Sequence, residues 1–279
     1  MTISLGAILR PQLPPERLRS AARLADEAGL DELWLWEDCF LQGGLTAAAA
    51  ALAWTDRIRI GVGLLPVPLR NVALTAMETA ALHRMFPGRV SLAIGHGVQD
   101  WMAQVGARPD SPLTLLTEYT GALRALLDGE RVTRKGAYVT LDDVSLGWPP
   151  AAPAEILIGG IGPRTLRLAA RIADGTVLNE SATPDRVRQI RAAAKPPHRV
   201  VVYIFAATGP DAAPRLAREL DHLGLTGVGV AGDAQTVAAE VRRYAEAGAD
   251  SVILLPTPDD PDPEGFLRFT AQEVRPLVP

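Results

Sequence analysis

Three glycines separate two apolar runs in the stretch ILIGGIGPRTLRLAARIADGTVLNE. Gly159, Gly160 and Gly162 have no side chain, so a ligand can approach their backbone closely. Pro163 suits the first position of a helix, and the amphipathic run Arg164–Ala173 follows it. The free N–H groups at a helix start attract an anion such as a phosphate. The stretch therefore predicts a phosphate-binding turn, and a tight strand-to-helix turn without a ligand is the competing interpretation.

A second glycine-flanked position carries a histidine. Gly95, His96 and Gly97 directly follow the apolar run Val90–Ile94, which places them at the end of a predicted strand. The other three histidines are scattered along the chain, and no HExxH or CxxC spacing indicates a metal site. Two glycine-flanked strand ends favour a bound ligand over empty turns, and His96 is a candidate catalytic residue beside that ligand.

A carboxylate follows another apolar run. Asp38 comes directly after Leu33–Trp36 and Glu37, and the only cysteine of the chain, Cys39, comes next. An aspartate in this place commonly caps the following segment, and it can instead accept a hydrogen bond from a cofactor or substrate. Cys39 is more typical of a small buried residue than of a nucleophile. We therefore take Asp38 and His96 as the catalytic candidates.

These candidates lie at the ends of apolar runs of the β type, and helical segments separate most of the runs. Runs that are apolar on both faces are typical of buried parallel strands. The predicted strands are Ile3–Leu9, Leu33–Trp36, Ile58–Leu65, Val90–Ile94, Ile156–Ile158, Thr176–Leu178, Val200–Ala206, Gly227–Val230 and Ser251–Leu255. This alternation over 279 residues fits a closed (β/α)8 TIM barrel, an α/β fold whose active sites lie at the carboxyl ends of the strands.

Two segments interrupt the alternation. Gln99–Leu113 has no strand pattern, and Gly129–Ala154 is rich in glycine, proline and turn residues. We expect both to be loop insertions at the C-terminal face of the barrel, where functional excursions are common. Composition does not change anywhere in the manner of a linker, so the sequence predicts one domain over residues 1–279.

Composition excludes several classes of protein. The net charge is 28 − 32 = −4 with both signs interspersed, so the chain has no basic surface for nucleic acid. The longest uncharged run, Cys39–Thr55, is too short and too weakly apolar to span a membrane. No basic and apolar leader is evident, and a single cysteine suits a reducing compartment. We expect a cytoplasmic protein with no nucleic-acid or membrane partner.

Four stretches together resemble the bacterial luciferase-like flavin oxidoreductases. They are TDRIRIGVGLLPVPLRN, PGRVSLAIGHG, GGIGPRTLRLAARIADG and GDAQTVAAEVRRYAEAGADSVIL, in the order typical of that family. Within the family the sequence is most similar to the deazaflavin branch, which uses coenzyme F420. The resemblance implies a (β/α)8 barrel, a small-molecule substrate and a homodimer.

The resemblance also assigns cofactor contacts to the ends of several strands. The residues it implies are Asp38, Gly63, Leu64, Gly95, His96, Gly97, Gly159, Gly160, Ile161, Gly162, Pro163 and Arg164. Among them, residues 159–162 match the loop that holds the cofactor phosphate, and Asp38 matches an acid that approaches the ring. Gly63 and Leu64 match a bulge in the third strand, where the family carries a cis peptide bond that backs the ring.

Two positions depart from the family pattern. Cys39 stands where deazaflavin members often have histidine, and Val98 stands where some sugar-phosphate dehydrogenases of the group have glutamate. These departures argue against that dehydrogenase chemistry. Loop residues expected to line the substrate pocket are Leu64, Leu65, Val67, Trp101 and Met102.

The leading hypothesis is hydride transfer between coenzyme F420 and a small organic substrate. An FMN-dependent monooxygenase of the same family and a non-catalytic flavin-binding member are the alternatives. The acidic tail of the deazaflavin would lie outside the barrel mouth, where Arg10, Arg70 or Arg164 could pair with it. A phosphosugar lyase would need a lysine at a strand end, but Lys135 and Lys195 lie in loop or helix contexts.

Overall fold

The computed structural model describes residues 3–278, and parallel strands close into a barrel at its centre. The strands are β1 (Ser4–Leu9), β2 (Glu32–Leu35), β3 (Arg59–Pro66), β4 (Val90–Gly95), β5 (Val132–Lys135), β6 (Thr140–Val144), β7 (Ile156–Gly159), β8 (Gly175–Leu178), β9 (Arg199–Ala207), β10 (Val230–Ala231) and β11 (Ser251–Leu255). Eight of them pair in the order β1-β2-β3-β4-β7-β8-β9-β11, and β11 pairs back to β1. This closed parallel sheet confirms the predicted barrel.

Helices surround the barrel and connect its strands. They are α1 (Leu18–Ala28), α2 (Gly44–Ala53), α3 (Val72–Met85), α4 (Gln99–Gln104), α5 (Pro112–Leu127), α6 (Pro163–Ile172), α7 (Pro184–Ala193), α8 (Ala212–Leu223), α9 (Ala234–Glu246) and α10 (Pro263–Arg268). Helix α1 ends at Gly29, whose φ of 89° lies in the left-handed region that glycine tolerates best. Helix α6 begins at Pro163 directly after Gly162, as its sequence predicts. No helix within residues 3–278 is both long and apolar enough to cross a membrane.

One predicted strand is wrong. Gly227 and Gly229 have φ values of 70° and 80°, so the segment Gly227–Val230 cannot run as an extended strand. Only Val230 and Ala231 form a short strand, which pairs with the last two residues of β9. The barrel therefore closes through β9 and β11, and β10 is an accessory to its rim.

Both insertions contain more regular structure than their composition suggests. The segment 99–113 holds the short helix α4, and Met102 on it is fully buried. The segment 129–154 contains the antiparallel hairpin β5–β6. Glu118 on α5 fixes this hairpin, since its carboxylate accepts three N–H bonds from residues 137–139.

The single-domain prediction spans residues 1–279, of which 1, 2 and 279 lie outside the described range.

Large side chains fill the barrel interior and leave only one end of the barrel open. Trp34, Tyr203 and Phe205 pack inside the barrel among aliphatic residues from the other strands. Gly61 makes room for the Trp34 ring, because a Cβ atom at Gly61 would lie 2.2 Å from Trp34 Cδ2. A second and larger apolar core lies between the strands and the surrounding helices. The filled interior leaves the carboxyl ends of the strands as the open end of the barrel.

The opposite end of the barrel is closed by a buried ion pair. Arg199 Nη2 lies 2.6 Å from Glu32 Oε1, and Arg199 Nη1 lies 2.9 Å from Glu155 Oε2. Glu32 also accepts hydrogen bonds from Trp34 Nε1 and Ser251 Oγ. These contacts tie β2, β9 and β11 together at their first residues.

Candidate active site

A cleft of about 530 Å³ opens at the carboxyl ends of the barrel strands. Nine of the twelve predicted site residues line it, namely Asp38, Gly63, Leu64, His96, Gly97, Gly159, Gly160, Ile161 and Gly162. The other three lie beside it. Gly95 is buried as the last residue of β4, and Pro163 and Arg164 open helix α6 with exposed side chains.

The floor of the cleft is a bulge in β3. The register between β3 and β4 shifts between Val62 and Leu65, and the Gly63–Leu64 peptide bond is cis, as the family resemblance implies. The Leu64 side chain fits over two glycines. A Cβ atom would lie 2.5 Å from Leu64 Cδ2 at Gly95 and 2.7 Å from it at Gly159. Those two glycines therefore make room for Leu64, which in turn forms the apolar base of the cleft.

The glycine turn before α6 forms one wall. Gly162 has a φ of −70°, and a Cβ atom there would meet nothing within 4 Å. At Gly160 a Cβ atom would lie 2.5 Å from Thr165 Cγ2. The N–H groups in the first turn of α6 have no partner within the helix and point towards this wall. The turn thus offers backbone donors and open space to an anion.

His96 lies next to the same turn. Its Nε2 atom is 3.0 Å from Thr165 Oγ1, and its buried Nδ1 atom has no well-formed hydrogen bond within residues 3–278. Burial lowers the pKa of His96, and the nearby Pro112 carbonyl opposes the shift only in part. The imidazole is therefore neutral at neutral pH, with one ring nitrogen held by Thr165.

The two carboxylates after β2 differ in their surroundings. Glu37 Oε2 accepts a hydrogen bond from the Gly44 N–H at 2.7 Å and lies 3.4 Å from Arg70 Nη1. Asp38 has no ion pair within 4 Å among the described residues. Burial raises the pKa of Asp38, although a hydrogen bond from Gln12 and the charge of Arg10 oppose the rise. Glu37 is thus a structural anchor, and Asp38 is the carboxylate available to a ligand.

Sequence reasoning missed several side chains that line the cleft, among them Trp36, Thr165, Glu180 and Tyr203. Tyr203 is buried, donates a weak hydrogen bond of 3.4 Å to the Gly63 carbonyl, and has a pKa raised well above its ordinary value by burial. A signal for one of them was present, because Glu180 follows the end of β8 as Asp38 follows the end of β2.

The predicted substrate pocket is partly wrong. Leu64 and Trp101 line the cleft, but Leu65 and Met102 are buried beneath it. Val67 lines a separate cavity of about 500 Å³. Successive residues of a strand face opposite sides, so Leu65 faces away from the cleft that Leu64 lines, and Met102 is the buried residue of α4.

Two of the arginines expected to meet an acidic tail are already engaged. Arg70 pairs with Glu37 and with Glu78. The Arg10 guanidinium stacks over the Trp36 ring at 5.7 Å, and its Nε atom donates to the Pro256 carbonyl at 2.7 Å. Arg164 is the exposed member of the three, beside the glycine turn.

The fold and the cleft define a (β/α)8 barrel with an open cleft at the carboxyl ends of its strands. The family model of the luciferase-like monooxygenases matches residues 3–226, and the chain belongs to that family. This membership confirms the resemblance seen in the sequence.

Two curated relatives extend the comparison. The chain is 30% identical over 197 residues to the 5,10-methylenetetrahydromethanopterin reductase of Methanolobus tindarius. The matched region covers 69% of this chain and 60% of the relative. It is 32% identical over 190 residues to the F420-dependent glucose-6-phosphate dehydrogenase of Nakamurella multipartita, and this match covers 62% of this chain and 55% of the relative. The matches therefore span less than two thirds of each relative.

Solved structures share the whole fold. An F420-dependent secondary alcohol dehydrogenase, in complex with an F420–acetone adduct, superposes with a TM-score of 0.84 at 22% identity, covering 100% of this chain and 99% of the other. The coenzyme F420-dependent tetrahydromethanopterin reductase from Methanopyrus kandleri superposes with a TM-score of 0.83 at 19% identity, covering 100% of both chains. At these identities the likeness establishes the architecture.

Proposed function

We propose that the protein is an oxidoreductase that transfers a hydride between coenzyme F420 and a small organic substrate. The observation that carries this proposal is the glycine turn at the start of α6, which opens onto a cleft with an apolar floor at Leu64. F420 appears in the names of the Nakamurella relative and of both solved structures, which supports the choice of cofactor.

The residues of the cleft fit such a cofactor. The absent side chain at Gly162 leaves a space beside backbone donors, where a phosphate group can approach. The β3 bulge at Gly63 and Leu64 would back the ring, and Asp38 and His96 would lie at its edge. When bound, the deazaflavin supplies the hydride-carrying ring, and the protein supplies orientation and exclusion of water.

The side chains of the cleft have separate tasks under this proposal. Trp36, Leu64 and Trp101 present apolar surface that keeps water from the reacting atoms. His96 is neutral and anchored by Thr165, so it can donate or accept a hydrogen bond without bringing a charge. Asp38 holds a proton more readily than an exposed aspartate, because burial raises its pKa. It is therefore the group best suited to exchange a proton with the substrate.

A titration with two cofactors tests the proposal. The purified protein is titrated with F420 and with FMN at low and at high ionic strength, and binding is followed by fluorescence. We expect F420 to bind more tightly at low salt, because its acidic tail can meet the exposed Arg164. This advantage should shrink as salt rises. Tighter binding of FMN at both ionic strengths would instead support the monooxygenase alternative.

A further inference from the structure

The charged side chains that line the cleft are all acidic. They are Glu37, Asp38 and Glu180, and no lysine or arginine of the described chain lines the cleft with them. Glu37 is balanced by Arg70 and by the Gly44 N–H. Asp38 after β2 and Glu180 after β8 have no ion pair within 4 Å among the described residues, and both lie near the charge of Arg10.

The nearest cation behind the cleft is Arg10 on the β1 side. Its guanidinium stacks on Trp36 and Phe205 at 5.7 and 5.9 Å, and Nη2 lies 3.9 Å from Glu219 Oε1. Four carboxylates, those of Glu219, Glu180, Asp38 and Asp259, thus lie around this one guanidinium. His96 adds no charge when neutral, and Tyr203 remains protonated because burial raises its pKa. The carboxylates around Arg10 therefore outnumber the cation beside them.

Aromatic rings form much of the remaining wall. Trp36 and Tyr203 lie with ring centroids 6.1 Å apart, and Trp101 lines the cleft from α4. The face of an aromatic ring attracts a cation, and the attraction grows where water is excluded. Rings of this kind beside two carboxylates without a close ion pair suit a positively charged nitrogen better than a phosphate or carboxylate on the substrate.

We propose that Glu180, together with Asp38, selects a small organic cation as the substrate, with its charged nitrogen held between the carboxylates and the aromatic wall. This inference rests on the proposed function, because it assigns the substrate class of the same cleft. It distinguishes the chain from enzymes that act on sugar phosphates, whose substrates are anions. Glu180 is the specificity-determining residue in this arrangement, since Asp38 also lies at the proposed ring.

A matched pair of probes tests the inference without any cofactor. Choline and its uncharged isostere 3,3-dimethylbutan-1-ol have nearly the same shape, and Trp36 and Trp101 report binding through tryptophan fluorescence. We expect choline to bind about tenfold more tightly than the isostere at low salt, and the ratio to fall as ionic strength rises. Equal affinities, or tighter binding of the anionic isostere 3,3-dimethylbutanoate, would overturn the proposal.

Three variants locate the effect. Glu180→Gln should lower the choline-to-isostere ratio several-fold, and Asp38→Asn should lower it as well, each with a near-unchanged affinity for the isostere. Glu130→Gln removes an equal charge at an exposed position outside the cleft and should leave the ratio unchanged. A choline-to-isostere ratio that is unchanged by both cleft substitutions would refute the assignment.

The two proposals can fail separately. Cation selectivity in a protein that binds no F420 would refute the proposed function alone, and F420 binding without cation selectivity would refute this inference alone.

Discussion

At the scale of single residues, a substitution at Gly162 can test the proposed anion contact without disturbing the rest of the fold. Its backbone conformation is open to any residue, and a Cβ atom there meets nothing within 4 Å. We expect Gly162→Val to weaken binding of F420 and FMN alike by about tenfold, with a loss of stability of about 1 kcal/mol or less from the changed N-cap. Fluorescence titration and urea unfolding measure the two effects.

The matched control is Gly147→Val, which is also free of neighbours within 4 Å but lies in the 129–154 insertion outside the cleft. Full cofactor affinity in the Gly162 variant would show that the turn contacts no ligand. Gly160 is a poorer choice for this test, because a side chain there would displace Thr165 and with it the anchor of His96.

Asp38 provides a second prediction at this scale, which concerns pH. Burial raises the pKa of Asp38, so the native state binds the proton more tightly than the unfolded chain does. The ionised carboxylate therefore costs stability as the pH rises from the unfolded pKa through the native one. Asp38→Asn should be more stable than the parent at neutral pH, and the difference should shrink towards acid pH. Urea unfolding across a series from about pH 4 to about pH 8 measures it. A difference that does not vary with pH would contradict the expectation.

The sequence revealed those site residues that interrupt a pattern. Gly160, Gly162 and His96 stand out because they break apolar runs at strand ends. Tyr203 does not stand out, because an aromatic ring continues the apolar run of β9 and only the closed barrel shows that it faces the cleft. The partners of Asp38 are also beyond sequence reasoning, since Gln12 and Arg10 reach it only through the pairing of β1 with β2.

At the scale of elements, an ion pair between Glu32 and Arg199 holds the start of β2 against the start of β9. Arg199 Nη2 is 2.6 Å from Glu32 Oε1, and Glu32 is buried. Glu32→Gln removes one of the two carboxylates that balance the largely buried Arg199 guanidinium, so we expect a loss of about 3–5 kcal/mol in the free energy of unfolding. Glu155 remains beside Arg199 and keeps the loss towards the lower end.

An exposed ion pair of the same type serves as the control for this measurement. Arg131 and Asp143 lie 3.0 Å apart with side chains 64% and 71% exposed, and Asp143→Asn should cost about 1 kcal/mol or less. Asparagine also tolerates the positive φ of 56° at this position. Similar losses in the two variants would mean that burial of Glu32 does not set the energy of the pair.

Buried strands were predictable and accessory ones were not. The eight barrel strands are apolar on both faces, so their composition alone separates them from the amphipathic helices. The segment Gly227–Val230 has the same alternation of valine, but the positive φ of its glycines is not visible in the sequence. The hairpin β5–β6 was missed because its strands are short and carry charged residues, and Glu118 from another element holds its turn.

At the scale of the whole molecule, helix α3 is apolar on both sides. Its inner side packs against the barrel through residues such as Val72, Ala76 and Ala80. Its outer side carries exposed apolar residues with helical spacing, which we name the α3 stripe: Leu74, Met77, Ala81 and Met85. A helix that is apolar all round is usually buried on both sides. This pattern supports the homodimer that the family resemblance implies, with a second copy of the chain covering the stripe.

Substitution of a charge into the α3 stripe tests that assembly. Met77 is 60% exposed in the single chain, so Met77→Glu should not disturb the barrel, whereas it would place two carboxylates in a symmetric interface. We expect the parent to be a dimer by light scattering after size exclusion, and the variant to dissociate at concentrations where the parent stays paired. Leu223→Glu, at an exposed apolar position of α8, should leave the dimer intact. A monomeric parent, or a variant that remains dimeric, would mean that the α3 stripe has another role.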